Sequence, residues 1–111
     1  MAHYKLLVLA DPVEGREDEF NDWYANRHLA DVVAVPGYVS AQRFRLTTVA
    51  RGAFQNRYLA IYDMETEDAQ AAIDELLRLG DSGEMFISEA LDDQTLNVGV
   101  FEAITERVTA R

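Results

Sequence analysis

A chain of 111 residues, 49% hydrophobic and 27% charged, has the material for one globular core and not for two. Its formal charge of −10 argues against partners that demand a basic face, nucleic acid and anionic lipid among them. No apolar run approaches the length of a bilayer span, and the absence of cysteine rules out disulfides and thiolate metal sites. The first residues lack the long apolar core and small-residue cleavage site of a secretory signal, so a cytoplasmic location is expected.

Tyr4–Ala10 (YKLLVLA) is a nearly continuous apolar run closed by Asp11-Pro12 and reads as a first strand. After a turn at Val13–Arg16, Glu17, Asp18 and Glu19 put negative charge where a helix N-terminus favours it. Phe20, Trp23, Tyr24 and His28 then share one helical stripe. Beyond His28 the apolar positions move to Leu29, Val32 and Val33, off that stripe. A single straight helix cannot serve both sets, so a kink or a short second helix is expected, ended by Pro36-Gly37.

Tyr38–Thr48 alternates with a period near two and reads as a second strand, followed by a loop over Val49–Asn56. Arg57–Met64, β-branched and aromatic, is the third strand. Thr66 is the expected N-cap of a helix over Glu67–Leu79, with Ala69, Ala72, Ile73, Leu76 and Leu77 facing inward and Gly80 as the stop. Asp81–Gly83 reads as a turn and Glu84–Leu91 as a short helical turn. Thr95–Ala103 is the fourth strand, and the last eight residues are a tail.

The order β-α-β-β-α-β is the split βαβ of a ferredoxin-like sandwich. The fold expected is therefore α+β: one domain over residues 1–111, with two main helices on one face of an antiparallel four-stranded sheet. The first strand is apolar on both sides, and the third and fourth are apolar on much of both. An antiparallel sheet with one wet face alternates more cleanly, so something should cover the second face. A second copy is the simplest cover, which predicts a homodimer through the sheet face.

The motif Trp23-Tyr24-x-x-x-His28, followed by Asp31-Val32, Pro36-Gly37-Tyr38, Ala41 and Arg43, resembles the EthD-like proteins of the dimeric α+β barrel superfamily. The likeness in element order covers nearly the whole chain, and the specific motif is confined to about residues 20–45. It implies a ferredoxin-like subunit whose sheets pair into a barrel. It also implies a small ligand held within each subunit, between helices and sheet, with the first-helix histidine, here His28, nearby. Ala30 stands where many relatives have a proline, which weakens the case for a kink after His28. The superfamily hosts cofactor-free monooxygenases, polyketide cyclases, lactone isomerases, dehydratases, haem enzymes and stress proteins, so fold alone does not select an activity.

His28 is the leading catalytic candidate, because an imidazole can take and return a proton near neutrality without a metal. The alternative is a hydrogen-bonded histidine at a helix break. Tyr24, one turn away, can aim its hydroxyl at the same space. Trp23 reads as core or as a wall of the site. Tyr58 and Tyr62 share one strand face and either line a ligand site or pack at a dimer interface; Tyr38 and Phe44 carry the same ambiguity. Arg27 has Asp31 four residues on as an ion-pair partner, or else binds a substrate carboxylate. Arg43 reads as structural or substrate-binding. Asn21 and Asp22 are expected to face solvent. His3 is the only other histidine and lies at no ligand spacing, so no metal and no cofactor are expected; axial haem ligation by His28 stays open.

No nucleophile elbow, phosphate loop, dinucleotide fingerprint or carboxylate pair occurs. What remains is acid–base chemistry on a small oxygenated aromatic, polyketide-like or lactone-type compound, by isomerisation, cyclisation or dehydration. The rivals are a non-catalytic ligand-binding accessory protein and an oxygen-using or haem-binding barrel.

Overall fold

The structure, a computed structural model, describes residues 2–111. Strands β1 (Ala2–Ala10), β2 (Tyr38–Arg45), β3 (Tyr58–Thr66) and β4 (Asn97–Glu102) form one sheet in the order β2-β3-β1-β4. Every pairing is antiparallel. On one face lie α1 (Glu17–Trp23), a π-helical turn (Tyr24–His28), α2 (Leu29–Val33) and the long α3 (Ala69–Ser82). This is the ferredoxin-like sandwich that the element order implies.

The core lies between that helical layer and the sheet. Strand β1 sends Leu6 and Ala10 inward, and β3 sends Tyr58, Ala60, Tyr62 and Met64, all buried. Opposite them sit Phe20, Trp23, Tyr24 and Val32 from the first helical segment and Ala72 from α3. Burying large side chains such as Phe20, Leu6 and Met64 stabilises the fold by roughly 1.5–3 kcal/mol each. Tyr58 and Tyr62 thus belong to the helix face, as does Tyr38, whose hydroxyl donates to the Ala72 carbonyl at 2.9 Å and ties β2 to α3. Phe44 faces the other way and is exposed.

Several boundaries differ from the sequence reading, each for a local reason. The α3 N-cap is Asp68, whose carboxylate accepts from the Ala71 amide at 3.0 Å. Thr66 instead accepts from the Asp68 amide at 3.1 Å and sets up the turn. Gly80 does not stop α3; the helix continues to Ser82 and ends at Gly83, whose φ of +83° suits glycine. Leu77 points to solvent, and Leu79 packs against the core in its place. Glu84–Leu91 forms no helical turn. That segment is pinned by Met85 N–H to the Leu79 carbonyl, by Val13 N–H to the Ala90 carbonyl, and by a bridge between Pro12 and Leu91. Among the described residues no helix is long and apolar enough to cross a membrane.

The other sheet face has no covering layer. Leu7, Leu9, Leu59 and Ile61 are half-buried there, and Phe101 is 60% exposed. A groove of about 640 Å³ runs over this face, lined by Lys5, Leu7, Val39, Ile61, Phe101 and Arg107 among others.

Candidate functional site

The first helical segment positions most of the candidate residues, and its irregularity decides how. The α-helix widens into a π turn at Tyr24–His28 and resumes at Leu29. Such turns are uncommon and frequent at functional sites. Within this one, Trp23 stacks on the His28 ring at a centroid distance of 4.5 Å and an interplanar angle of 27°. Tyr24 meets the same imidazole edge-on at 5.0 Å.

His28 Nδ1 is buried and has no hydrogen-bond partner among the described residues. A buried polar atom left unpaired costs about 1–3 kcal/mol, so it calls for an explanation. Burial lowers the His28 pKa to about 4, against a weaker opposing pull from Asp31. The imidazole is therefore neutral at pH 7 and already in the form that accepts a proton.

Three aromatic rings surround Arg43. Its guanidinium carbon lies 4.5 Å from the Tyr24 ring centre, 5.3 Å from that of Tyr58 and 5.4 Å from that of Phe20. One Nη donates to the Asn21 side-chain oxygen at 3.0 Å. The Asn21 amide nitrogen lies 3.3 Å from the Tyr58 hydroxyl, which donates to Glu17. That hydrogen bond holds the Glu17 carboxyl below its ordinary range, with Arg57 contributing. Asn21 does not face solvent, then: it is the link that orients both Arg43 and Tyr58. Asp22 does stay at the surface, accepting from Asn26. Sequence reasoning missed Asn21 and Glu17, because their partners Arg43 and Tyr58 lie on strands far along the chain.

Deeper in, the Tyr62 and Tyr24 hydroxyls are 3.4 Å apart, both buried. Burial raises both phenol pKa values, so both stay protonated. Arg27 points outward and takes the ion-pair reading: its Nε is 3.5 Å from Asp31, and its guanidinium stacks on Phe86 at 4.7 Å. The Trp23 indole N–H donates to the Phe86 carbonyl at 3.2 Å, fastening the 84–91 segment over this helix.

The structure thus brings His28, Trp23, Tyr24, Tyr58, Tyr62 and Arg43 to one side of the sheet and sets Arg27 at its rim. The space between helices and sheet is well filled by Phe20, Tyr62 and Met64. The 640 Å³ groove lies on the opposite face, away from His28.

The class defined by these elements is the ferredoxin-like α+β fold, and solved structures similar to this chain share that fold, a member of the EthD family among them. One is the heme-degrader MhuD from Mycobacterium tuberculosis, solved with two hemes in its active site. It is 15% identical over 95% of this chain and 99% of that one, with a TM-score of 0.65. An ethyl tert-butyl ether D (EthD) family protein from Bacillus halodurans C-125 is 19% identical over 92% and 99%, TM-score 0.60. A candidate monooxygenase from Shewanella loihica PV-4 is 19% identical over 95% and 97%, TM-score 0.57. No family model matches the sequence, and no curated protein does either.

Proposed function

We propose that this chain binds a small oxygenated organic molecule beside the π turn and acts on it by cofactor-independent acid–base chemistry, with His28 moving the proton. The observation that carries this reading is the unpaired, buried Nδ1 of a neutral imidazole held between two aromatic rings. A lone histidine without an activated nucleophile suits isomerisation, cyclisation or dehydration better than hydrolysis. In an isomerisation, His28 takes a proton from carbon next to a carbonyl, and the freed electron pair moves onto the carbonyl oxygen. That oxygen is held by a tyrosine hydroxyl, and the imidazolium returns the proton to another carbon. In a dehydration the departing hydroxyl takes it and leaves as water. The geometry suits a proton already acidified by the substrate, since an imidazole kept neutral by burial is a weak base.

The test is a panel of oxygenated aromatic and lactone-type compounds assayed for turnover by the wild type and His28→Ala. Loss of a catalytic base lowers the rate by about 10²–10⁴-fold while affinity changes little. Turnover unaffected by the substitution overturns the reading.

A second reading, a non-catalytic binding or accessory protein, draws on the position of the groove, which lies away from His28. It expects ligand binding to wild type and His28→Ala alike with no turnover from either. An oxygen-using or haem-binding barrel has its own readout, a Soret band in the purified protein.

A second copy of the chain is the occupant we assign to the back of the sheet. The half-buried Leu7, Leu59 and Ile61 and the exposed Phe44 and Phe101 form an apolar face that an isolated subunit would leave in water.

A further inference from the structure

Arg43 is a half-buried cation with no carboxylate within 4 Å among the described residues, in a chain with 20 acidic and 10 basic residues. Arg16, Arg27, Arg57 and Arg78 all have acidic partners, and Arg45, Arg51, Arg107 and Arg111, which have none among the described residues, are exposed to water, so Arg43 is the unpaired arginine that is drawn into the protein. Arg43 has three aromatic rings and a single hydrogen bond, to Asn21, which leaves its other N–H groups without protein acceptors.

Unspent N–H donors on a guanidinium without a counter-ion describe a place for an oxyanion. Arg45, two residues along the same edge strand and on the same face, adds positive charge against the chain's overall −10.

We propose that the half-buried Arg43 receives the carboxylate of a small aromatic acid at the solvent side of its aromatic cradle, and that this acid is the class of ligand the chain takes. The inference rests on the reading that this side of the sheet binds a ligand, and it names the ligand's charge. Arg43 and His28 lie 4.5 and 5.0 Å from the same Tyr24 ring centre, so they are at most 9.5 Å apart. One ring-bearing acid can anchor at Arg43 and present its other end toward the imidazole.

The probe is benzoate, with the neutral isostere benzamide as control, each titrated into wild-type protein at low ionic strength and followed by NMR. Benzoate is expected to bind at least tenfold more tightly than benzamide, to shift the Arg43 side-chain N–H signals, and to weaken as salt is added. Arg43→Met should erase the preference; Arg43→Lys, which keeps the charge without the planar fork, should retain part of it. Should Arg43→Met fail to fold, the wild-type N–H shifts and the Lys variant still decide. His28→Ala is expected to keep the preference, which separates this inference from the catalytic one: benzoate selectivity in a wild type that turns over none of the panel sinks catalysis alone. Equal binding of the two probes, or a preference that survives in Arg43→Met, would show Arg43 to be only a brace for the aromatic rings and overturn the proposal.

Discussion

Acid should weaken this fold through His28 in a way that can be separated from every carboxylate. The imidazole has an ordinary value of 6.5 and is lowered by burial to about 4 in the folded chain. Between those two values the unfolded chain binds a proton that the folded chain does not. Stability therefore falls as pH drops through 6.5, and the loss is complete below about 4. The gap corresponds to roughly 3 kcal/mol, a substantial share of the 5–15 kcal/mol typical of a domain. Glu17, Asp63 and Glu75, each held below its usual range by a hydrogen-bonding partner, also lose stability in acid. A control must therefore carry those groups unchanged. His28→Phe does so, since it preserves a flat ring against Trp23 and removes only the titration. Urea unfolding at pH 7 and pH 4.5 should show the wild type losing roughly 2–3 kcal/mol more than His28→Phe across that interval. His3→Gln leaves His28 as the one imidazole, whose NMR titration should have its midpoint near 4. If the two proteins lose stability in parallel, or the midpoint lies near 6.5, the imidazole is solvated and the argument for an inward-held base collapses.

Three further outcomes test the frame around the site. Asp68→Ala removes the carboxylate that accepts from the Ala71 amide and should cost about 1 kcal/mol in denaturant unfolding, with Asp68→Asn close to wild type. Tyr38→Phe deletes the hydroxyl that donates to the Ala72 carbonyl, which keeps its helical partner, a loss of about 0.5–1.5 kcal/mol seen as a lower melting temperature. Ile61→Glu puts a charge at the middle of the uncovered sheet face; light scattering should find the wild type as a dimer and the variant as a monomer. A wild-type monomer at micromolar concentration would remove the second copy from the account.

Element order and class were legible because period-two and helical patterning are local properties. The sheet order β2-β3-β1-β4 then follows from the split βαβ arrangement. The doubly apolar strands likewise announced an unusual second face, and Leu7, Leu59 and Ile61 do lie there under no layer of the same chain. End points were less legible, since they depend on competition between neighbours. Thr66 and Asp68 are both good cap residues, and only the path of the chain gives the Ala71 amide to Asp68. Gly80 looked like a stop, yet it lies inside α3 beside Ile87, and the left-handed turn that ends the helix falls at Gly83. The site was half-legible. His28, Tyr24, Trp23, Tyr58, Tyr62 and Arg43 were all singled out from the sequence, whereas Asn21 carries no sequence signal. Its importance comes from bridging Arg43 and Tyr58, and sequence spacing does not foretell which strands will meet a helix.

The π turn explains why the apolar stripe changes course at His28, and it gives the site its own test. Phe20 and Val32 are both fully buried, yet twelve residues at about 100° each would leave them roughly 120° apart on a regular α-helix. A π turn acts as one inserted residue, which reduces that offset to about 20° and lets both side chains face the sheet. The insertion thus reconciles two apolar stripes and, in doing so, wedges His28 against Trp23 and Tyr24. Removing the exposed Ala25 should therefore straighten the helix without dislodging Val32, because the deletion takes back the residue that the turn had added. The fold should survive with a modest fall in melting temperature. The histidine, now three residues from Tyr24 instead of four, should lose its stack, become solvated and titrate near the ordinary 6.5. Loss of the fold would mean that the turn is demanded by the core alone. A folded deletion variant whose histidine still titrates near 4 would show that burial there does not depend on the turn at all, and the link between helix irregularity and site would be broken.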